Sequence, residues 1–245
     1  SRSWKRRPTF WWPNGPTRPV PGALCLTFDD LFVDNWCVAR PIFDAFNARV
    51  TFCVSHIHTA TAAQVDSLHA LQDDGHEIGF HTRTHPKLRP YLEKYGLDHW
   101  LSHEIDAGVA EHRALGFPAS SFASPFHAST PETRAACASR FAVIRAAGPR
   151  STPPNPCGRI YRAPGPDNAV DNLGFADMHH RAFPGWPRQI QLLDAIADSG
   201  GTAVFTGHDI RERKSGPGFY STHRQIRRLL RAATERGIAF RTLSD

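Results

Sequence analysis

No apolar run in the 245-residue chain approaches the ~20 consecutive residues that a membrane-spanning helix needs. Cysteine is sparse: five residues, an odd number, with no Cys-x-x-Cys spacing. That spacing excludes a zinc knuckle and argues against a disulfide framework in a domain of this size. Cys25 and Cys53 sit inside apolar runs, where a free thiol behaves as a small hydrophobe, so the count leans towards a reducing, cytoplasmic compartment. No secretory leader is visible, but the chain opens on Ser1-Arg2-Ser3 rather than Met, so this absence decides little. No Gly-x-Gly-x-x-Gly opens a helix, which counts against a dinucleotide fold. The net charge is +6, with basic residues gathered at Lys5-Arg6-Arg7, Arg211 to Lys214 and Arg224 to Arg231. Aromatic and basic residues are nowhere interleaved as a nucleic-acid groove would want, so these clusters read as solvated helix faces and termini.

What the chain does hold, at 40% hydrophobic and 21% charged, suits a single large globular domain. Its organising stretch is Leu24-Cys-Leu-Thr-Phe-Asp29-Asp30, a nearly unbroken apolar strand that ends in two adjacent carboxylates. Burying paired like charges unpartnered would be costly. The pair becomes sensible if a cation neutralises one and the other is held as a base.

Residues 1–21 read as an irregular arm, with Phe10-Trp11-Trp12 expected to pack on the body, and 22–245 as one domain. Expected strands are Gly22–Phe28, Val50–Val54, Glu77–His81, Ser121–Ser124, Phe141–Arg145, Phe175–Met178, Thr202–Thr206 and Ile238–Leu243. Helices are expected over Asp34–Asn47, after the capping boxes Thr61-x-x-Gln64 and Thr222-x-x-Gln225, from about His99 to Leu115, after Thr130-Pro131, and over Gln189–Asp198. Pro86–Asp98 and the Pro- and Gly-rich stretch Ala147–Asn172 read as irregular loops. Strand–helix alternation about eight times over predicts an α/β fold, a (β/α) barrel of parallel strands in a single domain.

On that barrel Asp29, Asp30, His81, His85, Ser124, Arg145 and His208 all fall at or just past the C-terminal ends of strands, the face where barrel enzymes build their sites. His81-Thr-Arg-Thr-His85 places two imidazoles four residues apart. A carboxylate from the first strand would complete three protein ligands, the count of a catalytic rather than a structural zinc site. His56 and His58 lie on the same rim without an evident carboxylate partner. His76, His99, His103, His112, His179 and His180 read as surface or core residues.

Thr27-Phe-Asp-Asp30, His81-Thr-x-x-His85 and Phe205-Thr-Gly-His208 together resemble the NodB-homology polysaccharide deacetylases (carbohydrate esterase family four). The resemblance implies an irregular (β/α) barrel that removes N-acetyl, sometimes O-acetyl, groups from sugars with one divalent metal, Zn2+ first and Co2+ or Ni2+ as alternatives. It implies Asp29 as general base, Asp30, His81 and His85 as metal ligands, and His208 as the acid that protonates the leaving amine. An N-acetylated carbohydrate is then the expected partner, with oligomeric state left open.

The sequence departs from the family at its third motif, usually Arg-x-Pro-Tyr. Here Ala123-Ser124-Pro125-Phe126 stands in its place, so the expected Arg is missing. Arg145 on the next strand is the first candidate to supply the guanidinium and Arg162 its competitor. Ser124, Pro125 and Phe126 remain candidates for a backbone oxyanion donor and an apolar wall. An acidic partner for His208 is not recognisable; Asp167 and Asp171 are candidates. Trp100, Phe126, Trp186 and Phe219 could stack on sugar faces. Three rival readings stand beside the deacetylase: a metal-dependent amidohydrolase of a small non-sugar amide, a glycan-binding barrel without hydrolysis, and a non-haem iron oxygenase.

Overall fold

Strand β1 (Ala23–Asp30) has two faces of different chemistry, and the architecture follows from that difference. Leu24, Leu26 and Phe28 join a large apolar cluster with helix residues such as Trp36, Ile42 and Phe43. Cys25, Thr27 and Asp29 alternate with them and face the other way. The computed structural model describes residues 21–146, 159–165, 167–179 and 183–245, and within it the same division repeats from strand to strand.

The strands are β2 (Thr51–Val54), β3 (Glu77–Phe80), β4 (Ser121–Ala123), β5 (Val143–Ala146), β6 (Ala169–Phe175) and β7 (Thr202–Gly207). All pair in parallel in chain order, and β1 pairs with β7 to close a seven-stranded barrel. A late strand, β10 (Ala239–Arg241), pairs with the start of β1 at Ala23–Cys25, while β2 takes the second half from Thr27. The expected eighth strand therefore exists but shares β1 with β2 instead of widening the ring. Helices α1 (Val33–Asp44), α2 (Ala62–Asp73), α6 (Pro131–Cys137), α7 (Trp186–Ser199) and α8 (His223–Thr234) supply crossovers that parallel pairing requires. Both expected capping boxes form, at Thr61/Gln64 and Thr222/Gln225.

Phe52 shows why the outer layer is firm. Its ring lies 4.8 Å from Trp36 and 5.9 Å from Phe28, and burying one such side chain contributes roughly 1.5–3 kcal/mol. Inside the barrel the residues are smaller and more polar. Cys25, Val143, Val170 and Val204 form a lower layer with Leu243, and buried Thr27, Asp29, Thr51, Ser121, Arg145 and Thr206 share the inward parity of the pleat.

Three local expectations are corrected. Pro86–Asp98 is not a loop throughout: α3 (Leu88–Tyr95) forms there, because Pro90 falls in the first turn, where a missing N–H costs no helical bond. The helix expected from His99 starts earlier, as α4 (Leu97–Trp100), passes through a π-helical turn, Leu101–Asp106, and ends as α5 (Ala107–Ala114). The strand expected at Phe175–Met178 lies earlier, as β6, where Asp171, Asn172 and Gly174 hid it from hydrophobic periodicity. A small parallel pair, β8 (Asp209–Arg211) and β9 (Tyr220–Thr222), was not expected at all. The N-terminal arm lies, apart from Pro21, outside the described residues, as do residues 147–158 and 166 of the long loop.

Beneath the site the strands approach closely at Gly79. A Cβ on Gly79 of β3 would stand 2.7 Å from Ser121 Oγ and 3.0 Å from Thr51 Cγ2. Gly79→Ala is expected to cost about 1–3 kcal/mol by overpacking, read as a lower urea midpoint with an unchanged m-value.

Candidate active site

At the top of β1 the inward parity delivers Asp29 into the barrel, 3% exposed. Its Oδ2 accepts a hydrogen bond of 2.6 Å from Nη2 of Arg145, itself fully buried on β5, while Nη1 of Arg145 donates to Thr206 Oγ1 on β7. Arg145 is the register partner of Ala123 across the β4–β5 ladder. The guanidinium therefore arrives one rung sideways from the position at which the resemblance would place it. Arg162 is exposed and donates instead to the Ser199 carbonyl. Burial pushes the Asp29 carboxyl up, but Arg145, with His81 and His208, overrides it and holds the group far below the usual carboxylate range. Oδ1 of Asp29 is buried without a hydrogen-bond partner among the described residues, an oxygen left to accept from something that enters the site.

Parity would turn Asp30 outward. A φ of 80° breaks the pleat there and brings Oδ1 to 3.5 Å from His85 Nε2 and 3.9 Å from His81 Nε2. Nδ1 of His81 lies 2.7 Å from the Ala123 carbonyl, which can only accept, so Nδ1 carries the hydrogen and Nε2 keeps its lone pair. The two Nε2 atoms of His81 and His85 face each other at 3.1 Å. Burial lowers both imidazoles, His81 to about 3, so both are neutral near pH 7. Burial pushes Asp30 up, His208 pulls against it, and the adjacent Asp29 charge adds to the rise. One carboxylate and two neutral imidazoles, with ligand atoms within 4.8 Å of one another, fit a divalent cation in donor type and number.

His208 follows β7 and points across the same opening. Its Nδ1 bonds Asp177 Oδ2 at 2.6 Å, and its backbone N–H donates to the other oxygen of Asp177 at 2.8 Å. Burial acts to lower this imidazole, but the Asp177 bond and the Asp29 charge overcome it and raise the ring to about 9. Trp36 of α1 donates its indole N–H to the His208 carbonyl at 2.8 Å, anchoring the residue to the outer core.

After β4 the chain turns sharply. Ser124 and Pro125 are buried, and Phe126 is 57% exposed with its ring 4.7 Å from His85. The Ser124 N–H is committed to the Arg145 carbonyl and Pro125 has none, so only Phe126 of the three can offer a backbone donor. Phe219, 52% exposed just before β9, lies 5.2 Å from His208. Backbone strain gathers on this rim: Asp30, His56, Thr82, His85, Phe126 and His127 all have φ between 52° and 80°. Such conformations persist where surrounding structure over-determines them, and they cluster at working sites.

Other expectations fall elsewhere. Asp167 pairs with Arg134 at 3.6 Å, and Asp171 sits on β6 one rung from Arg145, against Ala146; neither meets His208. The partner is Asp177, missed although it is a lone carboxylate in the apolar run Ala176-Asp177-Met178. Trp100 is buried, and Trp186 is covered by the Arg228 guanidinium at 4.0 Å, so neither offers a free ring face at the site. His58 does have a carboxylate, Glu111, at 3.6 Å. His127 also escaped notice; it is buried at Nδ1 beside the site, without a partner there among the described residues.

Residues 18–136 match the sequence family described as polysaccharide deacetylase, a span that takes in Asp29-Asp30, His81 to His85 and Ser124 to Phe126 but ends before Asp177 and His208. Over that span, just under half of the chain, the sequence is similar to the polysaccharide deacetylase family. No curated protein matches the sequence. The fold is shared with the catalytic domain of a peptidoglycan N-acetylglucosamine deacetylase from Eubacterium rectale, at 13% identity and a TM-score of 0.58 over 94% of this chain and 92% of that one. It is shared too with a chitin deacetylase from Colletotrichum lindemuthianum, at 17% identity and 0.58 over 91% and 85%. A family 4 carbohydrate esterase from Streptomyces lividans, in complex with acetate, aligns at 16% identity and a TM-score of 0.55 over 89% of this chain and 91% of that one.

Two predictions follow from the charge pairs. Arg145→Met leaves Asp29 buried without its partner, so stability should fall by about 3–5 kcal/mol at neutral pH in a denaturant titration. Because the folded His208 ring titrates near 9 against an unfolded value of about 6.5, its contribution to stability is complete below about 6.5 and lost as pH rises through 9. Asp177→Asn should move the His208 titration of metal-free protein, followed by NMR of the ring proton, down from about 9 and flatten that loss.

Proposed function

We propose that the chain is a metal-dependent deacetylase that hydrolyses N-acetyl groups, with O-acetyl groups as a secondary substrate, on a sugar or polysaccharide. The observation that carries this reading is one opening that holds a buried, ionised Asp29 with an unengaged oxygen, a three-donor set beside it, and a protonated His208 held by Asp177. Asp30, His81 and His85 would hold the ion. When bound, a divalent cation there supplies Lewis-acid polarisation and lowers the pKa of coordinated water. Asp29 accepts the proton of the attacking water through Oδ1 while Arg145 keeps the carboxylate ionised and fixed in direction. The Phe126 N–H donates to the oxygen of the acetyl carbonyl as it gains charge. His208 delivers its proton to the departing amine nitrogen, and Asp177 holds the ring in the tautomer that does so.

Phe126 and Phe219 stand exposed on either side of the opening, one against His85 and the other against His208. Large exposed apolar rings flanking a polar site suit the apolar face of a pyranose. The solved relatives named for peptidoglycan and chitin make N-acetylglucosamine polymers the first substrates to try.

The test is metal content and acetate release on purified protein, before and after chelation, across a panel of N-acetylated sugars, oligosaccharides and small non-sugar amides. About one tightly held metal per chain is expected, with acetate release abolished by chelation and by Asp29→Asn and restored by zinc or cobalt. Metal-dependent release from a non-sugar amide alone would move the substrate class. Failure to bind zinc at all would sink the site and leave a glycan-binding barrel.

A further inference from the structure

The loop that carries His81 and His85 does not hold itself. Thr82 and His85 both have left-handed φ, 62° and 52°, and apart from the facing imidazoles of His81 and His85 the bond described within the loop is His85 N–H to Thr82 Oγ1 at 3.1 Å. We propose that the π-helical turn Leu101–Asp106 is the template for this loop and that Glu104 is its positioning residue. The proposal rests on the metal reading of Asp30, His81 and His85, and its test separates the two.

Glu104 is 4% exposed and precedes Ile105, which belongs to the apolar cluster that also holds Phe80 and Val109. A buried carboxylate must be fully engaged to be tolerated. Its Oε2 accepts from the Thr84 N–H at 2.8 Å, its Oε1 from the Thr84 hydroxyl at 2.6 Å, and its main-chain carbonyl from the Arg83 N–H at 3.1 Å. One residue thus fixes two consecutive loop residues that lie between the two imidazoles.

The helix is shaped to do this. In the widened turn the Ala107 N–H reaches back five residues to Ser102, so hydrogen bonds skip the ordinary α register and a carbonyl can be given to the loop. At Gly108 a Cβ would stand 2.8 Å from the Phe80 ring and 3.1 Å from Arg83 Cβ, so glycine permits the approach. Arg83 is held on its other side by Glu111 at 2.8 Å, and its carbonyl accepts from the His56 N–H at 3.0 Å. Glu104 touches neither imidazole; it acts through Thr84 on where His85 stands.

Zn2+ affinity of the chelator-stripped full chain, measured by competition with a chromophoric chelator, tests this. Glu104→Gln keeps the shape but replaces one acceptor with a donor, and Zn2+ should bind about 10–100-fold more weakly, the usual effect of losing an orienting partner. Glu111→Gln, which loosens the Arg83 and His58 side chains but leaves both bonds from Thr84 to Glu104 in place, should leave affinity unchanged. Melting of the metal-free chain distinguishes positioning from general damage, since the affinity loss should persist where the variant is fully folded. Should Glu104→Gln fail to fold, Thr84→Val removes the hydroxyl donor alone and should still weaken Zn2+. Wild type that binds Zn2+ with a folded Glu104→Gln of equal affinity overturns the template role. Wild type that binds no Zn2+ overturns the metal reading and this proposal with it.

Discussion

Everything at the mouth of the barrel depends on one buried ion pair. Arg145 and Asp29 are both sealed from water, and each would be prohibitively costly without the other. The pair works because the lumen is lined by groups that can engage it. Thr206 takes a second guanidinium N–H, and Ala123, the rung partner of Arg145, is small enough to leave the space. The consequence is an Asp29 that stays ionised throughout the working pH range, with one oxygen tied and one unengaged. A carboxylate in this state can accept a proton but cannot drift.

A second constraint is geometric. A parallel strand sends alternate residues inward, so two consecutive carboxylates cannot both face the lumen. The chain resolves this at Asp30 by leaving the β region, and the cost is recovered only if Asp30 has partners on the new side. His81 and His85 are those partners, and their own loop is strained in turn. Strain in one loop is thus held by contacts from another, and the chain of dependence ends on the π-helical turn against which Arg83 and Thr84 rest.

This layering explains how much was legible in the sequence. The barrel, the strand-end clustering and the Asp29-Asp30, His81/His85 and His208 motifs were readable because periodicity and spacing are local. Arg145 could be singled out because a charged residue closing an apolar strand demands a partner. Asp177 sends the same signal and was passed over because β6 had been placed too late, which read Asp177 as the middle of a strand instead of the residue beyond its end. The π-helical turn could not have been read at all. Its cause lies in tertiary contacts of Glu104 and Gly108, and no residue pattern distinguishes it from ordinary helix.

Charge balance ties the two halves of the opening together. Asp29, Asp30 and Asp177 bring three carboxylates, while Arg145 and a protonated His208 bring two positive charges, and the imidazoles of His81 and His85 are neutral. The shortfall shows in two upward shifts: the Asp30 carboxyl is pushed up, by burial first and by the Asp29 charge beside it, and the His208 ring is raised to about 9. A ring that titrates at 9 is a weaker acid than a proton donor working near neutrality wants. Added positive charge beside Asp30 relieves both shifts at once, lowering the carboxyl and bringing His208 back towards neutral pH. The donor set of Asp30, His81 and His85 and the acidity of His208 are therefore two readings of one electrostatic deficit.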